Sequence, residues 1–246
     1  MSRPSIGYKF VSGDGHVTEP GNLWVERMDR RFRERAPRVI SGAELPSRYL
    51  LPADAPDRPW GDAYYNPLWD ALSELEMPVG FHNSATEQFL RPALSNAPSL
   101  GSYQIVDIKI GGQMRSLTAL IGSAVPARYP RLRFEIAEGG IGWVAAVLRL
   151  MDHWWEDHRR WLEPKLEQPP SFYHRRQFYN SFEDDRAGLL TRDLLNVDHL
   201  MWGSDYPHTE GTFPNSVERV TRDFADIPEE MARKILAHNA ARLYGI

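Results

Sequence analysis

The sequence predicts an α/β protein of the (β/α)8 TIM-barrel type, incomplete, with about six recognisable strands, and three observations carry this prediction. Short apolar segments alternate with amphipathic ones along the 246 residues, which is typical of βαβ units around a parallel sheet. Several apolar segments end directly at a polar or acidic residue. Apolar residues at 42% and charged residues at 25% match an ordinary globular protein. We expect one domain over residues 1–246.

Five apolar segments are the predicted barrel strands, and each is followed by a polar side chain. The segments are residues 8–12, 78–81, 132–137, 177–182 and 199–203. The polar residues after them are, in order, Asp14 with His16, His82, Glu138, Glu183 and Asp205. A barrel delivers the C-terminal ends of all its strands to one face, so we expect these side chains to converge. A sixth strand is predicted over residues 48–51, inside the loop-rich stretch 41–64.

Helical periodicity predicts the segments between these strands. Apolar residues recur at spacings of three and four over residues 22–35, 68–75, 102–125, 141–162 and 231–243. Asn215, with Glu218 three residues later, is typical of a helix N-terminus. Trp154 and Trp155 are predicted to be core residues, and a homo-oligomer contact is the alternative.

The net charge and the amino-acid composition limit which partners, cellular location and metal ligands are expected for this protein. A net charge of −4 and a pI near 6.1 give no reason to expect nucleic acid or a membrane surface as partner, which leaves a small-molecule substrate. Residues 1–13 lack the apolar core of a signal peptide and no stretch is long enough to span a membrane, so we expect a cytoplasmic protein. The chain has no cysteine, so a metal would have to be held by His and carboxylate.

The pair Asp14 and His16 is a candidate for metal binding. One residue separates the two, so in an extended strand their side chains lie on the same side and can reach one ion. Taken alone, the triplet is more often an ordinary turn, and the interpretation depends on His82 and Asp205. His153 and His158 lack the i, i+4 spacing of a helical metal pair, so we predict a solvated polar face there.

Several motifs together resemble the amidohydrolase-related (amidohydrolase 2) family, in the branch of enzymes similar to aminocarboxymuconate semialdehyde decarboxylase. The motifs are Ser-Gly-Asp-Gly-His at 12–16, Gly-Phe-His at 80–82, Glu-Gly-Gly-Ile-Gly-Trp at 138–143, Gly-Ser-Asp-Tyr-Pro-His at 203–208 and Asn-Ala-Ala-Arg-Leu at 239–243. The resemblance implies one divalent metal ion, zinc first with manganese or iron as alternatives, and its ligands would be Asp14, His16, His82 and Asp205.

The same resemblance implies catalytic roles. Asp205 would also be the general base, Glu138 an auxiliary ligand or an acid and base, and His208 a substrate contact. Many family members carry His at the position of Glu138, and a carboxylate is a poorer proton donor near neutrality. This difference favours hydrolysis over decarboxylation.

The sequence between Arg38 and Leu50 passes directly to what resembles the fourth strand of the family. Roughly two βα units are therefore missing, relative to a full barrel of ~250 residues, and we expect an internal deletion near residues 39–49. The expected function is hydrolysis of a small organic substrate, cyclic or aromatic, by metal-activated water. The alternatives are non-oxidative decarboxylation of an aromatic carboxylic acid and a truncated, non-catalytic relative.

Overall fold

The residues described by this computed structural model form two compact units. The described residues are 10–14, 26–27, 29–35, 38–42, 45–50, 58–82 and 106–246. One unit comprises Met1–Gly15 and Pro59–Ile246, and the other His16–Arg58. A single domain over 1–246, with a deletion near 39–49, stays a prediction.

The unit His16–Arg58 contains an antiparallel hairpin. Its strands are β1 (Arg38–Gly42) and β2 (Leu45–Leu50), and a 3-10 helix, Arg30–Arg35, precedes them. The strand predicted over residues 48–51 is present as part of β2, but its expected place in the barrel is wrong, because β2 pairs with β1 in a two-stranded sheet. Only positions 43–44 separate the two strands, and so short a connection suits antiparallel pairing, since parallel strands need a long crossover.

The other unit is built on a parallel sheet with the strand order β3-β4-β5-β6. The strands are β3 (Pro78–Phe81), β4 (Arg133–Ile136), β5 (Phe178–Phe182) and β6 (Leu200–Trp202), each within a segment predicted to be a strand. Residues 10–14, which include part of the predicted strand 8–12, lie beside β6 but are not a strand of this four-stranded sheet. The Gly13 amide donates to the Trp202 carbonyl over 2.9 Å, and the Asp205 amide donates to the Asp14 carbonyl over 3.3 Å. The predicted α/β architecture with a parallel sheet is therefore confirmed.

Helices connect the strands, and most of them pack against one face of the sheet. They are α1 (Asn66–Glu74), α2 (Gly112–Gly122), α3 (Val125–Arg128), α4 (Val144–His158), α5 (Pro170–Gln177), α6 (Arg186–Leu190), α7 (Ser216–Asp223), α8 (Glu229–Arg233) and α9 (Asn239–Tyr244). One π-helical turn, Asp107–Gly111, leads into α2, and another, Lys234–His238, joins α8 to α9. Among the described residues, no helix is long and apolar enough to cross a membrane.

Successive residues of the parallel strands alternate between two environments, as the pleat of a strand requires. One set packs against the helices in the main hydrophobic core: Phe81, Phe134, Ile136, Phe178 and Trp202. The intervening set faces the other way: Gly80, Glu135, Tyr179, Ser181 and Met201. On this second face, Tyr179 and Met201 pack with Ala240 and Leu243 of α9. This second face, called the inner face below, is thus partly polar and is covered in part by the last helix, α9.

The prediction that Trp154 is a core residue is wrong. The buried side of α4 runs through Val144 and Leu148 and continues to Trp155, which leaves Trp154 to one side with 56% of its surface exposed. Trp155 is half-buried and donates to the Leu166 carbonyl over 3.1 Å. Both tryptophans border an apolar surface groove of about 480 Å³.

Candidate metal centre

Side chains from separate strand ends meet at the carboxyl edge of the parallel sheet. The ligating atoms of Asp14, His82 and Glu138 all lie within 4.8 Å of one another. Asp205 belongs to a second group with Glu138, His208 and Glu210, whose atoms lie within the same limit. The two groups share Glu138, so the predicted residues form one continuous cluster.

Of the remaining predicted site residues, His16 lies outside the described residues, whereas His208 lies on the rim of the cluster. The His208 side chain is 43% exposed, and its Nδ1 lies 3.8 Å from Glu210 Oε1. Sequence reasoning did not identify Glu210. A half-exposed imidazole beside a buried cluster can contact a molecule that enters from solvent.

Asp14 is held against the end of β6 by its backbone. Ser12 Oγ donates to the Asp14 carbonyl and accepts a bond of 3.0 Å from the Ser204 amide. A Cβ atom at Gly203 would lie 2.5 Å from Asp14 Cβ and 2.8 Å from the Asp14 nitrogen. Contacts this close exclude a side chain, so glycine at position 203 allows the two chain segments to meet.

Glu138 and Asp205 both have left-handed backbone conformations, with φ of 60° and 52°. Such a conformation costs a non-glycine residue about 1–3 kcal/mol and persists where the surrounding structure holds it. The Glu138 amide donates to Ser181 Oγ over 3.3 Å, and Gln113 Nε2 donates to the neighbouring Ala137 carbonyl over 2.6 Å. Both carboxylates are buried. The strain therefore coincides with the two carboxylates at the centre of the cluster.

Glu138 contacts two basic side chains. Its Oε2 lies 2.7 Å from His82 Nε2, and its Oε1 lies 2.6 Å from Lys109 Nζ. Burial raises the pKa of Glu138, but the hydrogen bonds from His82 and Lys109 outweigh burial and lower it to about 2. The hydrogen bond to Glu138 in turn raises the pKa of His82. Glu138 is thus ionised at neutral pH, which suits a ligand or a base better than an acid.

Lys109 is a second residue of the cluster, besides Glu210, that sequence reasoning missed. It lies in the π-helical turn Asp107–Gly111, and its side chain is 18% exposed. Burial lowers its pKa, but the hydrogen bond to Glu138 and the charge of Glu183 more than compensate and raise it. A single lysine between Ile108 and Ile110 carries little signal in the sequence.

Glu183 follows β5 at the same edge of the sheet. Its Oε2 lies 3.9 Å from Lys109 Nζ, and its backbone carbonyl accepts a bond of 3.1 Å from Trp202 Nε1. Burial raises the pKa of Glu183 to about 8, although the charge of Lys109 opposes this shift. Glu183 therefore carries a proton at neutral pH, in contrast to Glu138.

A second buried acid, Glu135, lies on the inner face of β4. It accepts a hydrogen bond from the Tyr244 hydroxyl of α9. Burial raises the pKa of Glu135 to about 7, and the charge of Asp14 contributes to the same shift. The last helix is thus tied directly to β4, the strand that Glu138 follows.

Comparison with known proteins assigns this arrangement to a family. Residues 21–246 match the family model described as Amidohydrolase. The chain belongs to the amidohydrolase family. The resemblance inferred from the motifs is therefore confirmed, and so is the TIM-barrel type of fold.

Three proteins show how similar this amidohydrolase-family chain is to known relatives in sequence and in structure. An amidohydrolase structure from Mycobacterium avium subsp. paratuberculosis is 26% identical with a TM-score of 0.60, over 76% of this chain and 47% of that one. Decarboxylase yanB of Aspergillus niger is 24% identical over 188 residues, which are 75% of this chain and 50% of the relative. The 5-carboxyvanillate decarboxylase of Novosphingobium aromaticivorans was solved with manganese and 4-hydroxy-3-methoxy-5-nitrobenzoic acid. It is 16% identical with a TM-score of 0.57, over 77% of this chain and 53% of that one, and shows the fold alone. The chain spans about half the length of the relatives it matches.

Proposed function

We propose that this protein is a cytoplasmic, metal-dependent, non-oxidative decarboxylase of an aromatic carboxylic acid. The observation that carries the proposal is the convergence of Asp14, His82, Glu138 and Asp205 at one edge of the sheet, beside the largely buried acid Glu183. The relative found by sequence, yanB, is named a decarboxylase, which supports this reaction over hydrolysis.

The chemistry of the donor set suits one divalent ion. The ligating atoms of Asp14, His82 and Glu138 lie within 4.8 Å of one another, whereas two atoms bound to one ion at ~2.0–2.2 Å lie at most ~4.4 Å apart, so small side-chain movements would bring these donors onto a common ion. Asp14, His82 and Asp205 would hold the ion, Glu138 would be an auxiliary ligand, and His16 would complete the set. Carboxylates outnumber imidazoles in this group, a balance that suits manganese, with zinc and iron as alternatives. When bound, the ion would supply positive charge to hold and polarise the oxygens of the substrate.

Decarboxylation needs a proton at the ring carbon that loses its carboxylate. In our proposal the Glu183 carboxyl delivers this proton, because Glu183 is protonated at neutral pH whereas Glu138 is ionised. A C–H bond forms, the bond between the ring and the carboxylate breaks with its electron pair returning to the ring, and carbon dioxide leaves. Glu183 then regains a proton from water. His208, on the exposed rim, would orient the substrate.

The test is a measurement of carbon dioxide release by the full chain loaded with manganese. Hydroxybenzoic acids, 5-carboxyvanillate among them, should yield carbon dioxide and the corresponding phenol in equal amounts. Glu183→Gln should lower kcat by ~100-fold or more, within the usual contribution of a general acid. Glu163→Gln, at a carboxylate with 71% exposure, is the matched control and should have wild-type activity. Metal-loaded protein that releases no carbon dioxide from any of these acids would contradict the proposal.

Hydrolysis is the second candidate, and the ionised state of Glu138 favours it, since a carboxylate of low pKa accepts protons rather than donating them. In that reaction Asp205 would take the proton from the attacking water. Turnover of esters, amides or lactones by the same protein, with no decarboxylation, would establish it. Folded, metal-loaded protein inactive in both assays would favour a non-catalytic relative.

A further inference from the structure

Lys109 places a positive charge inside the proposed metal site. Its ammonium lies 2.6 Å from Glu138 Oε1 and 3.9 Å from Glu183 Oε2. Glu138 is 2% exposed and both other side chains are 18% exposed, so solvent screens these charges weakly. An ammonium group has three donors and no acceptor, and therefore cannot itself be a metal ligand.

The ammonium and a divalent ion would use the same carboxylate. Glu138 is the residue common to both groups of candidate ligands, and each of its oxygens already contacts a partner, Lys109 or His82. An ion on Glu138 would lie within a few ångström of a like charge. At such distances, in a poorly solvated site, the repulsion is far stronger than in water.

We propose that Lys109 is an internal cation that competes with the divalent ion for Glu138 and thereby weakens metal binding. The inference rests on the proposed function only in assuming that the cluster binds a metal. In the metal-free protein Lys109 neutralises part of the charge of the buried carboxylates. When an ion binds, Lys109 shifts its contacts toward Glu183, the other acidic side chain within its reach.

A purely structural lysine would behave differently. It would hold Glu138 in position for the ion, and its removal would loosen the site and weaken metal binding. A competing lysine predicts the opposite sign, because its removal leaves both Glu138 oxygens to the ion. The direction of the change in metal affinity therefore separates the two roles.

The experiment is calorimetric titration of the metal-free full chain with manganese chloride. Lys109→Met should bind manganese about ten-fold more tightly than wild type, which corresponds to ~1.4 kcal/mol. Lys109→Gln, which keeps a donor for Glu138 without the charge, should shift in the same direction and serves if the methionine variant does not fold. Lys165→Met, at an exposed lysine paired with Glu163, is the matched control and should bind like wild type.

Stability of the metal-free proteins gives a second readout. Without manganese, Lys109→Met should have a lower Tm than wild type, because the buried carboxylates lose their counter-charge, and manganese should raise its Tm by more. Affinity of both Lys109 variants equal to or weaker than wild type would overturn the inference while leaving the proposed function intact. If the wild type binds no manganese, the proposed function fails. In that case, binding gained by Lys109→Met would still support competition, and no binding by either Lys109 variant would overturn it.

Discussion

His82 Nε2 lies 2.7 Å from Glu138 Oε2, so the ends of two adjacent strands, β3 and β4, are joined by an ion pair. Protonated His82 makes its full contribution to the free energy of unfolding below pH 6.5. This contribution is lost as pH rises through the raised pKa that His82 has in the folded protein. Glu138 contributes fully above pH 4.5, and this contribution is lost as pH falls towards about 2. The pair is therefore at its strongest between these two limits.

Glu138→Gln should accordingly destabilise the metal-free protein most between pH 4.5 and 6.5. The same change should weaken manganese binding by about ten-fold, because a charged ligand is lost. Urea unfolding across the pH range and calorimetric titration measure the two effects. A stability difference from wild type that stays constant from pH 4.5 to pH 9 would contradict the pairing.

Gly203→Ala should disturb the site through the backbone. The added Cβ would lie 2.5 Å from Asp14 Cβ, so the segment 10–14 would have to move away from β6. We expect a loss of about 1–3 kcal/mol in the free energy of unfolding, as for other overpacked positions, together with weaker manganese binding. Gly122→Ala is the control, since no described atom lies within 4 Å of its ideal Cβ position, and it should be as stable as wild type. If Gly203→Ala and Gly122→Ala had the same stability and the same manganese affinity, the close approach of Gly203 to Asp14 would be contradicted.

Tyr244→Phe should destabilise the protein in a pH-dependent manner. The pKa of Glu135 is raised to about 7 in the folded protein, so between pH 4.5 and pH 7 the folded protein holds a proton on Glu135 that the unfolded chain has lost. The free energy of unfolding therefore falls as pH rises through this range. Removing the Tyr244 hydroxyl takes a donor from the ionised carboxylate, which should cost about 1–3 kcal/mol at pH 8 and less at pH 5. Tyr64→Phe, at an exposed tyrosine, controls for loss of a hydroxyl. If Tyr244→Phe lowered the free energy of unfolding equally at pH 5 and pH 8, the proposed hydrogen bond from Tyr244 to ionised Glu135 would be contradicted.

His174 should make the protein sensitive to acid independently of any metal. It is buried, its Nε2 lies 2.9 Å from Asn180 Oδ1, and burial lowers its pKa to about 4. In the unfolded chain His174 takes up a proton near pH 6.5, whereas in the folded protein it does so only near pH 4. The free energy of unfolding therefore falls as pH drops from 6.5 to 4, by up to about 3 kcal/mol. His174→Gln should flatten this fall, whereas His153→Gln, at an exposed histidine, should retain it. An identical fall in both variants would assign the acid sensitivity to other groups.

The sequence was sufficient to predict the parallel strands and the residues at their ends. Asp14, His82, Glu138 and Asp205 each follow a short apolar segment, and the convergence of parallel strand ends is a general property of the fold. Strand periodicity and strand polarity are local features, so they are visible in one sequence. The roles of these residues as ligands, acids or bases stay predictions.

The hairpin and the lysine could not be predicted in the same way. The segment that forms β2 resembles a family strand, but it pairs with its neighbour in sequence, β1, rather than with the parallel sheet. Lys109 reaches Glu138 from 29 positions earlier in the chain, and only the three-dimensional path of the turn before α2 brings them together. Contacts of this kind have no spacing rule that a single sequence can reveal.

The bond between Gly13 and Trp202 has a consequence for the biosynthesis of the protein. Asp14 leaves the ribosome well before Trp202, Gly203 and Ser204, the residues whose groups adjoin it in the folded protein. Contacts between such distant positions form late, because a long loop must close before they are made. A nascent chain therefore holds Asp14 apart from these residues until position 204 has been translated, and the carboxylates at the sheet edge can meet only after that point.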